Sequence, residues 1–281
     1  MGIITRRNIA ENFRTPIEQV ERAKNFLRFG PRARHNRRVT IAIGAFLNAI
    51  GILLGGLFGL ARRQPLSAPA QYFFRNALGA FTVFFGLRLV WVSVHGSFLS
   101  VLKQIFIAFL AVLLGFWLGK LLHLQKISNR LGRSAGNAIA FAQKTPPGGA
   151  ADGFAAGAVL FCAAPLGLIG AVTDGLSGYF YLLAVKAVMD GLATVSFVKM
   201  FRWPAALAAI PVFIFLSAIT AACHFFAAPF LDAHHLTGAV NAAAGLVACA
   251  VALVIFETRK VELANYLPGL VLAPLLAWLL N

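Results

Sequence analysis

Three charged side chains lie within one long apolar part of this sequence, and their types and spacing could do chemistry. Lys186 and Asp190 are four residues apart, so on a helix they share one face and can form an ion pair. Asp174 precedes them, at the start of a run of Asp, Gly, Leu, Ser and Gly. Charges within lipid-like sequence are costly and usually line a protein interior or a water-filled path. We therefore take Asp174, Lys186 and Asp190 as candidate contacts for a small solute or an ion.

Each of these residues also has a purely structural interpretation. Asp and Gly are turn residues, so the run that begins at Asp174 can simply end a helix. Lys186 and Asp190 can form a neutralised structural pair that lets one helix tolerate both charges. Alternatively they form a switchable pair, which is released when a substrate or a proton binds Asp190. The sequence leaves both alternatives open.

Arg88 is a further charge inside apolar sequence, near the middle of a predicted span over 77–95. It could pair with Asp174 or Asp190, or contact an anionic substrate. Its position near mid-span disfavours snorkelling of the side chain to the membrane surface.

Asn48 and Asn265 complete the candidate binding residues, because both are polar groups in apolar helices. Hydrogen bonds between helices would also explain each of them.

The usual motifs of enzymes and ATP-driven pumps are missing from the sequence. It has no phosphate-binding loop, serine-hydrolase elbow, zinc-protease motif or dinucleotide fingerprint. The three cysteines lie singly in apolar segments, as small packing residues do. The histidines between 224 and 235 lack carboxylates or thiolates at ligand spacing. We therefore expect no catalytic residues, cofactor or metal site, and an intramembrane enzyme ranks last among the functions considered.

The composition is that of a multi-pass membrane protein. Hydrophobic residues make up 59% of the 281 residues and charged residues 12%, whereas soluble domains carry about 25% charged residues. The net charge is +16, and the basic residues lie mostly in tails and loops, as at cytoplasmic flanks of membrane spans. That placement favours the lipid bilayer and anionic lipid as partners, and we expect no binding to nucleic acid.

Eight segments are long and apolar enough to cross a bilayer. The sequence therefore predicts an all-α polytopic transmembrane helix bundle of about eight spans. Glycine, proline or a charge interrupts several of them, so some are expected to be broken or re-entrant. The predicted spans are 39–61, 77–95, 100–122, 154–173, 180–198, 203–226, 238–256 and 263–280.

A basic extension precedes the predicted transmembrane domain. Within residues 1–38, Thr15, Pro16 and Glu18 are typical of a helix start, and a short amphipathic helix is expected to lie on anionic lipid. A solvated tail is the alternative. The predicted transmembrane domain, 39–281, divides into three spans over 39–122, a basic loop over 123–152 and five spans over 153–281.

The distribution of basic residues predicts the orientation of the core but conflicts with the extension. Positive-inside counting places segments 62–76 and 123–152 in the cytoplasm. Eight spans would then put both termini outside, although the basic extension favours the inside. The conflict disappears if the extension is translocated, if span 39–61 is re-entrant, or if translation starts near Val39.

Several short motifs occur in an order that resembles a known family of bacterial membrane proteins. They are Phe161-Cys162, Gly170, the run from Asp174 to Gly178, Lys186, Asp190-Gly191, Ala264-Asn265, Pro268 and Leu272-Ala273-Pro274. On these residues the chain, over about 40–280, resembles domain-of-unknown-function family 554, the YqgA/YdfK-type membrane proteins. The resemblance implies a location in the bacterial cytoplasmic (inner) membrane and carries no established activity. The extension 1–38 looks like an addition, and Val254 stands where family members often have Asn, so any role of that Asn is lost here.

Discontinuous helices and a few intramembrane charges favour a secondary transporter or channel-like permease for a small solute or ion. Asp190 and Lys186 would then form a gating or proton-coupled pair, with Asp174 as a binding or coupling residue and Arg88 as an anion contact. The alternative is a non-enzymatic membrane scaffold or sensor whose basic tail binds lipid or a partner. The sequence leaves assembly into a homo-oligomer open.

Overall fold

The computed structural model describes residues 42–62, 64, 66–144, 150–259 and 261–280, and every regular element within them is helical. The amphipathic helix expected within 1–38 lies outside the described residues. The α-helices are α1 Ile43–Ala61, α2 Ala68–Ser93, α3 Phe98–Leu121, α4 Leu124–Lys144, α5 Ala150–Cys162, α6 Pro165–Ser177, α7 Tyr181–Phe201, α8 Ala209–Ala222, α9 Ala228–Ala233, α10 Thr237–Ile255 and α11 Gly269–Leu280.

Membrane spans account for most of these helices. In the described part of the chain, seven helical segments are long and apolar enough to cross a membrane, and the bent pair α5–α6 makes an eighth. The predicted all-α polytopic bundle is therefore confirmed. Its bounds differ in places from those predicted. Helix α2 begins at Ala68, well before the expected start at 77, and the segment expected to end at 226 continues to Ala233.

Three of the spans are irregular, as their prolines lead one to expect. Helices α5 and α6 meet at a bend of 58° just before Pro165. The segment from Trp203 to Ala233 opens with a 3₁₀ turn and contains a π-helical turn, Cys223–Ala227, which ends two residues before Pro229. A 3₁₀ turn, Leu263–Tyr266, likewise precedes α11. Because proline has no N–H and clashes with the preceding turn, each break lies where a regular helix would be strained.

Most of the segment predicted as a basic loop, 123–152, is helical instead. Helix α4 carries apolar residues at Leu124, Ile127 and Leu131, with intervals of three and four that place them on one face. Basic residues occupy much of the remaining surface. A search for long apolar runs cannot find such a helix, because its apolar residues form a stripe rather than a block.

Helices α1 and α7 pack in parallel with their backbones in contact. A Cβ atom on Gly51 would overlap the backbone of Ala187, and one on Gly55 would overlap the carbonyl of Gly191. Near the other end of the pair, Gly59 faces Val195 and Val198. The contacting residue numbers rise together, so both helices run in the same direction, and α1 keeps contact with α7 along nearly its whole length.

The other long contacts are antiparallel. Gly79 on α2 faces Phe256, and Gly86 faces Gly245 on α10. Gly115 on α3 faces Gly269 at the start of α11, and Lys103 Nζ donates a hydrogen bond to the Leu280 carbonyl near its end.

These directions decide how the bent pair α5–α6 runs. Helix α3 runs in the direction of α1, so it ends at the end of the bundle opposite to the start of α7. The chain must therefore cross between α3 and α7. In the described part, α5–α6 is the apolar segment there that can cross. The bent pair is thus one broken span and not a re-entrant loop.

The bundle has two distinct ends and two hydrophobic cores. We call the end that holds Arg62, Lys120 and Arg202 the basic end, and the end that holds Tyr179 and Tyr181 the tyrosine end. One core lies among α2, α3, α10 and α11, and the other among α1, α5, α7 and α8. Helices α6 and α7 contribute to both cores, so they stand between the two groups of helices.

Candidate functional site

Lys186 and Asp190 form an ion pair on α7, one turn apart and almost wholly buried, with 1% and 6% of their surface exposed. Asn48 of α1 donates a hydrogen bond from Nδ2 to the same carboxylate oxygen, at 3.0 Å. The Asn48 Oδ1 atom is buried and has no hydrogen-bond partner among the described residues. The predicted pairing of Lys186 with Asp190 is thus found, and Asn48 extends it to α1.

Small and aromatic residues make room for this buried lysine. Its Nζ lies 5.9 Å from the centre of the Phe161 ring, within the range of a cation–π interaction. A Cβ atom on Gly167 would stand 2.6 Å from the lysine Cε. Gly167, at the start of α6, therefore leaves the space that the Lys186 side chain fills.

Asp174 holds the first turn of α1. It lies in the last turn of α6, where Gly178 ends the helix with φ of 70°. Its Oδ2 accepts a hydrogen bond from the Gly44 N–H at 3.1 Å. Ala42 precedes α1 and offers no capping side chain, so the carboxylate supplies from another helix the acceptor that an N-cap residue normally supplies. The expected helix-ending turn is present, and the side chain has a capping role that the sequence did not indicate.

Arg88 lies apart from these carboxylates. Its guanidinium stacks over the Tyr181 ring at 4.9 Å, and its side chain is exposed. The expected pairing with Asp174 or Asp190 is not found. Helix α2 begins earlier than predicted, so Arg88 lies five residues from its end at Ser93 rather than at mid-span.

Asn265 belongs to the basic end. Its Oδ1 accepts a hydrogen bond from the Gln125 N–H at 3.1 Å, in the first turn of α4. Gln125 Oε1 accepts in return from the Ala264 N–H, at 3.2 Å. Asn265 therefore caps α4 from a neighbouring segment, much as Asp174 caps α1.

The six candidate residues thus form separate local arrangements rather than one site. Asn48, Lys186 and Asp190 meet, whereas Asp174, Arg88 and Asn265 each have other partners. Within the described ranges, no group of three or more His, Cys, Asp and Glu side chains could hold a metal ion.

A cavity of about 630 Å³ opens at the tyrosine end, where α2, α3, α10 and α11 meet the turn between α6 and α7. Its lining carries one carboxylate, Asp232, together with other polar side chains: Ser93, His95, Gln104, Ser177, Tyr179, His235, Thr237 and Asn241. The Asn241 Oδ1 atom is buried without a hydrogen-bond partner among the described residues. This tyrosine-end cavity is large enough for a small solute.

A second cavity, of about 310 Å³, opens at the basic end between α2 and α7. We call it the basic-end cavity. Met189, Leu192 and Ser196 line it from one face of α7. On the same face, at intervals of three and four residues, Val185 and Leu182 precede them and are buried in the core. Between the basic-end cavity and the turn at Tyr179, which lines the tyrosine-end cavity, this face of α7 thus carries two buried apolar side chains.

Sequence reasoning singled out the charges but missed the cavity residues. Asn241 carried a signal, because it is a polar residue at the start of an apolar helix. His95 and Gln104 carried none that could be recognised, since they follow or begin spans like ordinary flanking residues. Two hydrogen bonds between them hold His95 and Gln104 together at the turn from α2 to α3, and the packing of α2 against α10 brings Asn241 to the same opening.

Comparisons with known proteins agree with the motifs quoted above. The family described as "Protein of unknown function (DUF554)" matches residues 43–278. The chain is 28% identical to the "Uncharacterized protein YqgA" of Escherichia coli (strain K12) over 83% of this chain and 95% of that protein. It is 23% identical to the "Uncharacterized membrane protein YdfK" of Bacillus subtilis (strain 168), over 85% of this chain and 96% of that protein. No solved structure matches significantly. The chain is a multi-pass membrane protein and belongs to the DUF554 family.

Proposed function

We propose that the protein is a secondary transporter or channel-like permease for a small solute or ion, in the bacterial cytoplasmic membrane. One observation carries the proposal: two cavities open at opposite ends of the bundle, one beside the turn that leads into α7 and the other on a face of α7. A scaffold has no need of such a pair, whereas a permease that opens to each side in turn requires one.

The path we propose follows the seam where α7 meets α2 and α10. Helix α7 begins two residues after Tyr179 of the first cavity, and from its start at Tyr181 to Met189 of the second cavity is eight residues, or roughly 12 Å of helix. Leu182 and Val185 close this interval, and Phe85 of α2 stacks on Tyr181 beside it, with ring centres 5.0 Å apart. A small separation of the two helix groups along this seam would join the cavities.

The Lys186–Asp190 pair would couple this movement to a proton or ion. It lies on the side of α7 that faces α1 and α6, away from the seam. An ionised Asp190 accepts a hydrogen bond from Asn48, whereas a protonated Asp190 could donate one to the free Asn48 Oδ1. The same amide could thus satisfy both protonation states, which supports a coupling role for the pair.

The proposal is tested by opening the seam. Leu182→Gly with Val185→Gly removes the two side chains between the cavities, and Leu99→Gly with Leu102→Gly, on the exposed surface of α3, is the matched control. In proteoliposomes under an osmotic gradient, we expect the seam variant to admit small polyols, amino acids or carboxylates faster than the control. Equal permeability of the two variants, with both correctly folded, would count against a path along α7.

A large side chain in the tyrosine-end cavity should slow the entry of solutes, whereas opening the seam should speed it. Ala242→Trp places a large side chain in the lining of the tyrosine-end cavity. In the seam variant this substitution should reduce the added permeability, measured in the same swelling experiment. A leak that persists unchanged would place the path elsewhere.

A further inference from the structure

The corner between α3 and α4 forms a third cavity, which the proposed transport path does not use. Its volume is about 490 Å³, and it lies at the basic end. Lys120, His123 and Lys126 contribute to its lining, together with Trp117 and Leu121. Such a corner joins a membrane-spanning helix to an amphipathic one, so it lies where lipid headgroups meet acyl chains.

The basic residues of this corner cavity are exposed and arranged around one opening. Lys120 lies in the last turn of α3, and its Nζ lies 5.8 Å from the centre of the Trp117 ring. His123 donates a hydrogen bond from Nδ1 to the Leu121 carbonyl at 2.9 Å. Lys126 lies in the first turns of α4, and Arg130 follows one turn later. Lys120, His123 and Lys126 thus lie exposed around this one opening.

The acidic side chain in the same lining is already engaged. Glu262 Oε2 accepts a hydrogen bond from Asn265 Nδ2 at 2.8 Å. Helix α4 itself contains no acidic residue over its whole length, Leu124–Lys144. The rim of the corner cavity therefore keeps a net positive charge.

Apolar surface adjoins these charges on the side that faces the bilayer. Trp117 and Leu121 are 61% and 73% exposed, and Leu122 and Ile127 are also largely exposed. Tryptophan favours the membrane interface, where one edge of its ring is apolar and the other is wet. The corner thus offers charge to a phosphate headgroup and apolar surface to the chain attached to it.

From this juxtaposition we propose that the corner cavity, with Lys120 and Lys126 on its rim and Trp117 on its wall, is a binding site for one anionic phospholipid. The headgroup phosphate contacts the two ammonium groups, and an acyl chain lies along Trp117 and Leu121. Bound there, the lipid joins the end of α3 to α4 and holds the amphipathic helix against the membrane surface.

The test measures how strongly brominated lipid quenches the fluorescence of Trp117. The full chain has four tryptophans. Trp91, Trp203 and Trp278 are replaced by Phe, and the protein is reconstituted in phosphatidylcholine containing either brominated phosphatidylglycerol or brominated phosphatidylcholine. We expect phosphatidylglycerol to be preferred at least about fivefold at Trp117, since each of the two lysines near an anionic headgroup contributes about that factor. Lys120→Gln with Lys126→Gln should bring the preference close to one.

Trp203 provides the matched control, because it is exposed and also lies at the basic end. A protein that retains Trp203 alone should show the same lipid preference with and without the two lysine substitutions. Inorganic phosphate, compared with chloride at the same ionic strength, should not reduce the preference for phosphatidylglycerol at Trp117. Displacement by phosphate would identify a free-anion site instead of a lipid site and overturn the proposal.

Native mass spectrometry gives a second measurement that needs no tryptophan replacement. The chain with all four tryptophans should retain one phosphatidylglycerol on release from the micelle, and the Lys120→Gln, Lys126→Gln protein should lose it. No preference at Trp117, or a preference unaffected by the lysine substitutions, overturns the proposal.

Discussion

Three buried polar contacts meet at Asp190. Its carboxylate accepts from Lys186 on its own helix and from Asn48 on α1, and its carbonyl accepts from the Thr194 hydroxyl at 2.7 Å. Removing one partner of a buried ion pair leaves an uncompensated charge, whereas removing both often costs little. We therefore expect the chain to tolerate loss of the pair better than loss of one member.

Lys186→Met and Asp190→Leu should each destabilise the protein by about 3–5 kcal/mol, because each leaves one buried charge alone. The double variant should recover most of that loss, short of the cost of the unpaired Asn48 amide. Unfolding in mixed detergent micelles measures the free energy of unfolding of the two single variants and of the double variant. If the protein transports a solute as proposed and the pair acts only in structure, the stable double variant should keep the flux of the unchanged protein. Loss of that flux at normal stability would assign the coupling role.

Asp174 allows a sharper comparison, because Asn is nearly the same size and keeps an acceptor oxygen. Asp174→Asn should leave the first turn of α1 capped, whereas Asp174→Ala should cost about 1–2 kcal/mol. Hydrogen exchange followed by mass spectrometry should show faster exchange at residues 43–46 in the Ala variant alone. Equal exchange in both variants would mean that the cap does not hold this turn.

At the scale of elements, the α1–α7 contact depends on glycine more than on any charge. The two backbones touch at Gly51, Gly55 and Gly191, where no side chain intervenes. Close approach of this kind is how membrane helices gain van der Waals contact without help from the hydrophobic effect. The two helices should therefore move as one unit during any transport cycle.

Gly55→Ala tests that contact against a matched glycine. Its Cβ would overlap the carbonyl of Gly191, so α1 must shift, and we expect a clear fall in the thermal unfolding temperature. Gly132→Ala on α4 meets no atom within 4 Å and should be neutral or stabilise by up to about 1 kcal/mol. Similar effects at both positions would refute close backbone packing of α1 on α7.

The spans and their breaks could be predicted from the sequence, and the partners of the polar residues could not. Runs of apolar residues and the positions of Pro165 and Pro268 are local, so they are visible in one dimension. The link from Asp174 to Gly44 joins residues 130 apart, and it replaces a cap that the local sequence around Ala42 lacks. Arg88 shows the same limit, because its partner Tyr181 follows from packing alone.

At the scale of the whole molecule, the helix directions fix which connections share an end of the bundle. Ser134 on α4 and Thr258 after α10 lie at the basic end, and Ser177 at the close of α6 lies at the tyrosine end. The basic end also carries most of the described lysines and arginines, so we expect it to face the cytoplasm.

Single cysteines at Ser134, Thr258 and Ser177, in a protein without its three natural cysteines, test this arrangement. An impermeant maleimide added to sealed vesicles should label the first two from one side and Ser177 from the other. The substitutions are conservative and the three sites are at helix ends or exposed surface. Labelling of Ser134 and Ser177 from the same side would mean that the bent pair α5–α6 does not cross.

The parallel pairing of α1 with α7 has a consequence for biosynthesis. Asn48 and Asp190 are 142 residues apart, and a ribosome that adds roughly 5–20 residues per second needs about 7–28 s to make that interval. During this time α1 has left the ribosome with its amide unpaired and its glycine surface uncovered. A nascent chain stalled before α7 should therefore be recognised by quality-control proteases or held by the insertion machinery, and α1 should become protected only when α7 enters the membrane.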